Sequence, residues 1–205
     1  MPDRPICSAG FGVVCRGASA RAGRRALAVQ RRGAGRAGCC KIFRMLPAED
    51  MVLRDVQESD FPVLFQQQRD PEANWMAAFV SRDPSDWDVF VKHWRRVLED
   101  PTTTLKAIVR NGEVVGSVGS FLSEGKPQVT YWIGKQYWGQ GIATSALAKF
   151  VRDLRTRPLY ASAARDNAAS IRVLEKCGFT ICGSAKAFAG ARGEEVEEVM
   201  LQLQT

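Results

Sequence analysis

The residues best placed to do chemistry are Gln136-Tyr137-Trp138-Gly139-Gln140-Gly141, followed by Ile142-Ala143-Thr144. After them Ala143, Leu147, Phe150, Val151 and Leu154 recur at helical spacing, and before them Tyr131-Trp132-Ile133 reads as the end of a strand. Two glycines at the strand-to-helix junction let another molecule approach the main chain. The first amides of the helix have no partners within it, and the helix dipole makes that end partly positive. A turn of this build suits a phosphate or pyrophosphate. It is not a P-loop, because Gly141 is followed by Ile142 and Ala143 instead of Lys-Ser or Lys-Thr. A dinucleotide fingerprint is also excluded: Thr144 stands at the third small-residue position, and the region near Leu159 and Tyr160 has no acid for a ribose.

A second stretch narrows the reading. Asp166-Asn167-Ala168-Ala169-Ser170-Ile171-Arg172-Val173-Leu174-Glu175-Lys176-Cys177-Gly178-Phe179 has a good helix N-cap in Asn167, and in Gly178-Phe179 a pair that ends a helix and covers its end. In order and spacing the two stretches resemble the GCN5-related N-acetyltransferases (GNAT). That family's loop reads Gln/Arg-x-x-Gly-x-Gly/Ala, and its later helix reads Asn-x-x-Ser followed by a run ending in Gly-Phe. The resemblance spans roughly residues 51–204 and is strongest to the branch that includes ribosomal-protein-alanine acetyltransferases.

The resemblance implies an α/β acyl-CoA N-acyltransferase fold, a mostly antiparallel splayed sheet with helices on both faces. It implies acetyl-CoA as co-substrate, no metal, and direct attack by a primary amine of a small molecule or of a peptide or protein N-terminus. Trp132 and Ile133 would meet the pantetheine arm and thioester. A backbone N–H near Ile133 would face the developing oxyanion. The amides from Gln136 to Ala143, with Trp138, Gly139, Gln140, Gly141, Ile142 and Thr144 among the contacts, would hold the pyrophosphate, and Asn167 would touch the pantetheine or the acceptor side. Ser170 matches a serine proposed in relatives to protonate the departing thiolate; equally, it is a first-turn serine able to satisfy a helix amide. Asn74, Trp75, Met76 and Phe79 are the acceptor-wall candidates, although an apolar stripe also serves a core. A lysine-like amine, with a pKa of roughly 10, must lose a proton before attack, so a general base is required. Here the chain departs from its relatives: Gln128 and Ala189 stand where acids are expected, leaving Glu113, Glu124, Glu194 and Glu195 unranked. A CoA-binding module without catalysis, or a transferase of another acyl group, therefore stays open, as does a homodimer.

The elements that must position these residues follow from pattern. Strands are expected at 51–56, 102–110, 113–122, 128–134, 158–164, 179–186 and 196–203, and helices at 58–69, 86–99, 141–155 and 168–177, with a short helix or loop at 72–80. Asn111-Gly112 is a strong hairpin turn. His93 falls off the apolar stripe of its helix and reads as a solvated surface histidine.

The chain has 205 residues and net charge +7, unevenly spread. Residues 1–45 carry ten Lys/Arg and one acid, so the remaining 19 basic and 21 acidic residues leave the domain at −2. A nucleic-acid-binding face on the domain is therefore not expected. The basic leader, 1–45, is expected to be disordered. It is a mis-assigned start, a solvated tail able to touch RNA, or a transit peptide. No run is long enough to cross a membrane. One histidine and no Cys-x-x-Cys argue against zinc, and Cys177 and Cys182 read as reduced core residues, which suits a cytoplasmic enzyme.

Overall fold

The computed structural model describes residues 51–80 and 84–204, so the leader and the expectations placed on it lie outside the described residues. Seven strands form one sheet in the order β1-β2-β3-β4-β5-β7-β6. They are β1 (Met51–Asp55), β2 (Thr104–Arg110), β3 (Glu113–Ser123), β4 (Lys126–Ile133), β5 (Leu159–Ala164), β6 (Thr180–Ala189) and β7 (Glu194–Leu203). The helices are α1 (Phe61–Gln68), α2 (Pro71–Ala77), α3 (Trp87–Glu99), α4 (Ile142–Asp153) and α5 (Ala168–Lys176).

Every neighbouring pair is antiparallel except β4 and β5, which run parallel and meet at one register pair, Gln128 with Tyr160. Beyond that pair the two strands part. The amide of Gly134 donates to the Val115 carbonyl, so the even-numbered residues of β4 bond β3 through their main chain. The main-chain groups of Tyr131 and the Ile133 amide then face the opening between β4 and β5.

Both sheet faces are covered. On one, Ile108, Val118, Val129 and Ile133 pack with Ile142, Leu147 and Phe150 of α4 and Leu174 of α5. On the other, Leu105 and Ala107 pack with Phe61, Leu64 and Phe65 of α1 and Phe90 and Trp94 of α3. Trp94 is fully buried there, and the Phe61 and Phe90 rings meet edge to face at 6.0 Å. Each such side chain contributes about 1.5–3 kcal/mol by leaving water.

Three expectations need correction. Residues 58–60 form a 3-10 turn, and α1 begins only at Phe61. Pro62 is the reason: lacking an N–H, it is tolerated only in a helix's first turn. His93 is half-buried, not solvated, and burial together with the neighbouring Arg96 pushes its pKa down to about 4. Cys182 is exposed on the edge strand β6, whereas Cys177 is half-buried with its thiol raised by burial; both are free.

Candidate active site

The fork between β4 and β5 opens into a cleft of about 570 Å³ that reaches both sheet faces. Its mouth is closed on one side by the start of α4. The turn there has Gly139 at φ +73° and Gly141 at φ +77°, the left-handed region that side chains resist. A Cβ at either glycine would meet nothing within 4 Å, so both face open space. Helices α2, α3 and α5 each have a side-chain acceptor on their first turn, from Asp70, Asp86 and Asn167. Gly141 caps α4 with no side chain, leaving its first amides free for an anion. The Trp138 indole donates to the Ile133 carbonyl at 2.8 Å and ties the turn to the end of β4.

Alternation along β4 distributes side chains to the two faces. Tyr131 points to the α4–α5 face, where its hydroxyl lies 2.7 Å from Ser170 Oγ. Burial pushes the Tyr131 phenol up to about 12, with the Ser170 hydrogen bond pulling the other way. The phenol is therefore protonated at neutral pH, and the pair holds a proton beside the cleft. Trp132 points to the opposite face, its indole donating to the Gln67 carbonyl of α1 at 3.2 Å. The Ser170 amide is satisfied by Asn167 Oδ1, which leaves the serine hydroxyl for Tyr131. Asn167 Nδ2 donates to the Met76 carbonyl at 2.9 Å and so joins α5 to α2.

Of the candidates, Trp132, Ile133, Trp138, Gly139, Gly141, Ile142, Ala143, Thr144, Asn167 and Ser170 line the cleft. Gln136 and Gln140 do not: Gln140 accepts from Arg110 and donates to the Gln136 carbonyl, bracing the turn from outside. Among Asn74, Trp75, Met76 and Phe79, only Met76 lines the cleft. Asn74 is buried and donates to the Gln68 and Asp70 carbonyls. Trp75 is exposed under the Arg192 guanidinium, and Phe79 packs beside Ala78, Ala164 and Ala189.

Sequence reasoning missed Tyr131, Ser162 and Glu198. Ser162 lines the cleft from β5, and its hydroxyl donates to the buried carboxylate of Glu198 on β7. Glu113, Glu124, Glu194 and Glu195 are exposed, and none lines the cleft. No group of three or more His, Cys, Asp or Glu able to hold a metal occurs among the described residues. No described helix is long and apolar enough to cross a membrane.

Among curated proteins, the chain is 26% identical over 168 residues to an N-acetyltransferase named p20 from Bacillus licheniformis, covering 77% of this chain and 94% of that protein. It is 25% identical over 158 residues to YdaF of Bacillus subtilis (strain 168), named as a ribosomal N-acetyltransferase, covering 72% of this chain and 84% of that protein. The fold matches the microcin C7 self-immunity acetyltransferase MccE, solved with acetyl-CoA and AMP, at a TM-score of 0.65 and 16% identity, over 77% of this chain and 93% of that one. The acetyltransferase (GNAT) domain family matches residues 50–180, and with the forked sheet and bare glycine turn in place, the chain belongs to the GNAT acetyltransferases.

Proposed function

We propose that the chain transfers an acetyl group from acetyl-CoA to a primary amine, borne by a small molecule or by a peptide or protein N-terminus. One observation carries this reading. A glycine turn open to space, the uncapped start of α4 and the fork between β4 and β5 form one continuous channel. The turn and the α4 amides fit a pyrophosphate. The Tyr131 and Ile133 main-chain groups fit the amides of a pantetheine arm, which would lie between the strands as an added strand does. The Ile133 amide would then sit where a thioester oxygen gains charge. Trp132, Trp138, Ile142, Ala143 and Thr144 would flank the carrier, with Gln136 and Gln140 supporting the turn.

The acceptor amine would enter from the α2 face, past Met76, so that the thiolate leaves on the other side. There the Tyr131–Ser170 pair would return a proton to sulfur, with Ser170 as donor and Tyr131 re-supplying it. Asn167 would hold the two sides in register. The relative named as a ribosomal N-acetyltransferase supports a peptide or protein amine as one acceptor class. The free thiols of Cys177 and Cys182 fit a cytoplasmic setting. The exposed edge of β6, with Ile181 and Phe188, fits a homodimer, which light scattering of the full chain would detect.

Isothermal titration of the full chain with CoA, followed by free-thiol release from acetyl-CoA over a panel of amines, tests the reading. We expect binding and amine-dependent thiol release. No binding would defeat it. Binding with slow hydrolysis indifferent to every amine would favour a non-catalytic CoA-binding module, the reading motivated by Gln128 and Ala189. Faster release from a different acyl-CoA would reassign the transferred group.

A further inference from the structure

We propose that Ser162 and Glu198 form the proton exit for the acceptor amine, with Ser162 touching the amine and Glu198 acting through it. This rests on the acetyltransferase reading and supplies the base that Gln128 and Ala189 do not.

The placement follows from register. Gln128 pairs with Tyr160 at the vertex of the fork, so Tyr160 and Ser162 share the sheet face of Gln128, Thr130 and Trp132. That is the α2 face, opposite the Tyr131–Ser170 pair. The cleft thus has hydroxyl groups on both faces: one pair backed by a phenol, the other by a carboxylate. A direct transfer needs such a division, since the amine loses a proton on one side while sulfur gains one on the other.

Glu198 is 2% exposed, and no cation pairs with it among the described residues. Its neighbours on that face are Ser162 and Ala164 of β5, Ala185 of β6, and Val196 and Met200 of its own strand. The charged residues at flanking positions, Arg165, Lys186 and Glu197, fall on the other face by register, where Arg165 pairs with Glu197 at 2.7 Å. The buried cation of the adjoining hairpin, Arg192, is committed to Asp166 and the Trp75 carbonyl. From α2 the cleft receives only Ala73, Met76 and Ala77. Burial raises the Glu198 carboxyl above its ordinary range, with Ser162 as the one opposing contact. A carboxylate kept dry and without a cation is a stronger base than a solvated one.

The step balances. An N–H bond of the ammonium breaks as its proton passes to Ser162 Oγ, while the Ser162 hydroxyl proton passes to Glu198. A cation and an anion become a neutral amine and a neutral acid. The amine nitrogen keeps the electron pair for attack, and Glu198 later releases its proton to water.

The test uses the full chain with Glu198→Gln and, separately, Ser162→Ala. Each is expected to leave CoA affinity unchanged by titration and to lower kcat/KM for a lysine-type amine at neutral pH by roughly 100-fold. The deficit should shrink as pH approaches the amine's own pKa of about 10, where the free base exists without help. It should also be smaller for an α-amino acceptor, whose pKa is about 8. Unchanged kcat/KM in either variant, or a deficit independent of pH and of acceptor pKa, overturns the proposal. So does loss of CoA binding in both variants alone, which would make the pair structural. Failure of the unsubstituted chain to bind CoA would instead defeat the acetyltransferase reading itself.

Discussion

The two walls of the cleft are built differently. The α4 wall presents main-chain atoms from one continuous stretch, Ile133 to Thr144, with glycine at positive φ at Gly139 and Gly141. The α2 wall is assembled from single side chains on separate elements: Met76 of α2, Ser117 of β3, Trp132 of β4 and Ser162 of β5, with Glu198 of β7 behind. A main-chain wall suits a carrier that never varies. A side-chain wall can be altered one residue at a time, which suits a variable acceptor.

The contrast is most easily broken at Gly141. Val at φ +77° would add roughly 1–2 kcal/mol of strain and project into the open space proposed for the pyrophosphate. We expect Gly141→Val to weaken acetyl-CoA binding by about 100-fold or more in titration, close to 3 kcal/mol. A loss below about tenfold would mean that this wall does not hold the carrier.

Arg192 tests the opposite wall. Its buried guanidinium binds Asp166 at 2.6 Å, donates to the Trp75 carbonyl and stacks on the Trp75 ring at 4.9 Å, pinning the β6–β7 hairpin to α2. Arg192→Met should cost about 2 kcal/mol in denaturant unfolding. It should raise the acceptor KM while leaving acetyl-CoA affinity unchanged. Arg192 holds the Asp166 carboxyl below its ordinary range. That stabilisation is present above the unfolded carboxyl pKa and is lost as pH falls through the lowered folded value. The gap between wild type and variant should therefore close on acidification.

Asn167 belongs to both walls. Asn167→Ala removes a helix cap and the bond to Met76, for about 1–2 kcal/mol together. Carrier affinity and acceptor KM should worsen together; a change in one alone would mean that the walls are independent. The smallest effect is expected from Trp138→Phe, which removes one indole bond to Ile133, about 1 kcal/mol, and should touch carrier affinity only.

The same contrast governs what the sequence discloses. Asn111-Gly112, Asn167 and Gly139-x-Gly141 act on their own neighbours, so their spacing announces the hairpin, the cap and the glycine turn before α4. Pro62 also shows in the sequence, and it moves the start of α1 to Phe61. The α2 wall has no such signature. Glu198 lies in the run Glu194-Glu195-Val196-Glu197-Glu198, in which Glu194 and Glu195, not Glu198, are the base candidates that the sequence offers. It is buried in the fold, where β7 lies between β5 and β6, and the β5–β7 pairing joins residues far apart in sequence. The usable signal was alternation: Val199, Leu201 and Leu203 claim one face of β7, which puts Glu198 on the other face of an interior strand. Trp75 misled for the opposite reason, since its large ring is satisfied at the surface by Arg192.

The single register pair between Gln128 and Tyr160 has a thermodynamic consequence. A sheet joined at its middle by one rung is a zip left half open, with the facing edges of β4 and β5 unpaired beyond it. A guest lying along Tyr131 and Ile133 would supply the missing rungs and turn two half-sheets into one. Loaded protein should thus melt at a higher temperature than empty protein, and amide exchange should slow most along the facing edges of β4 and β5.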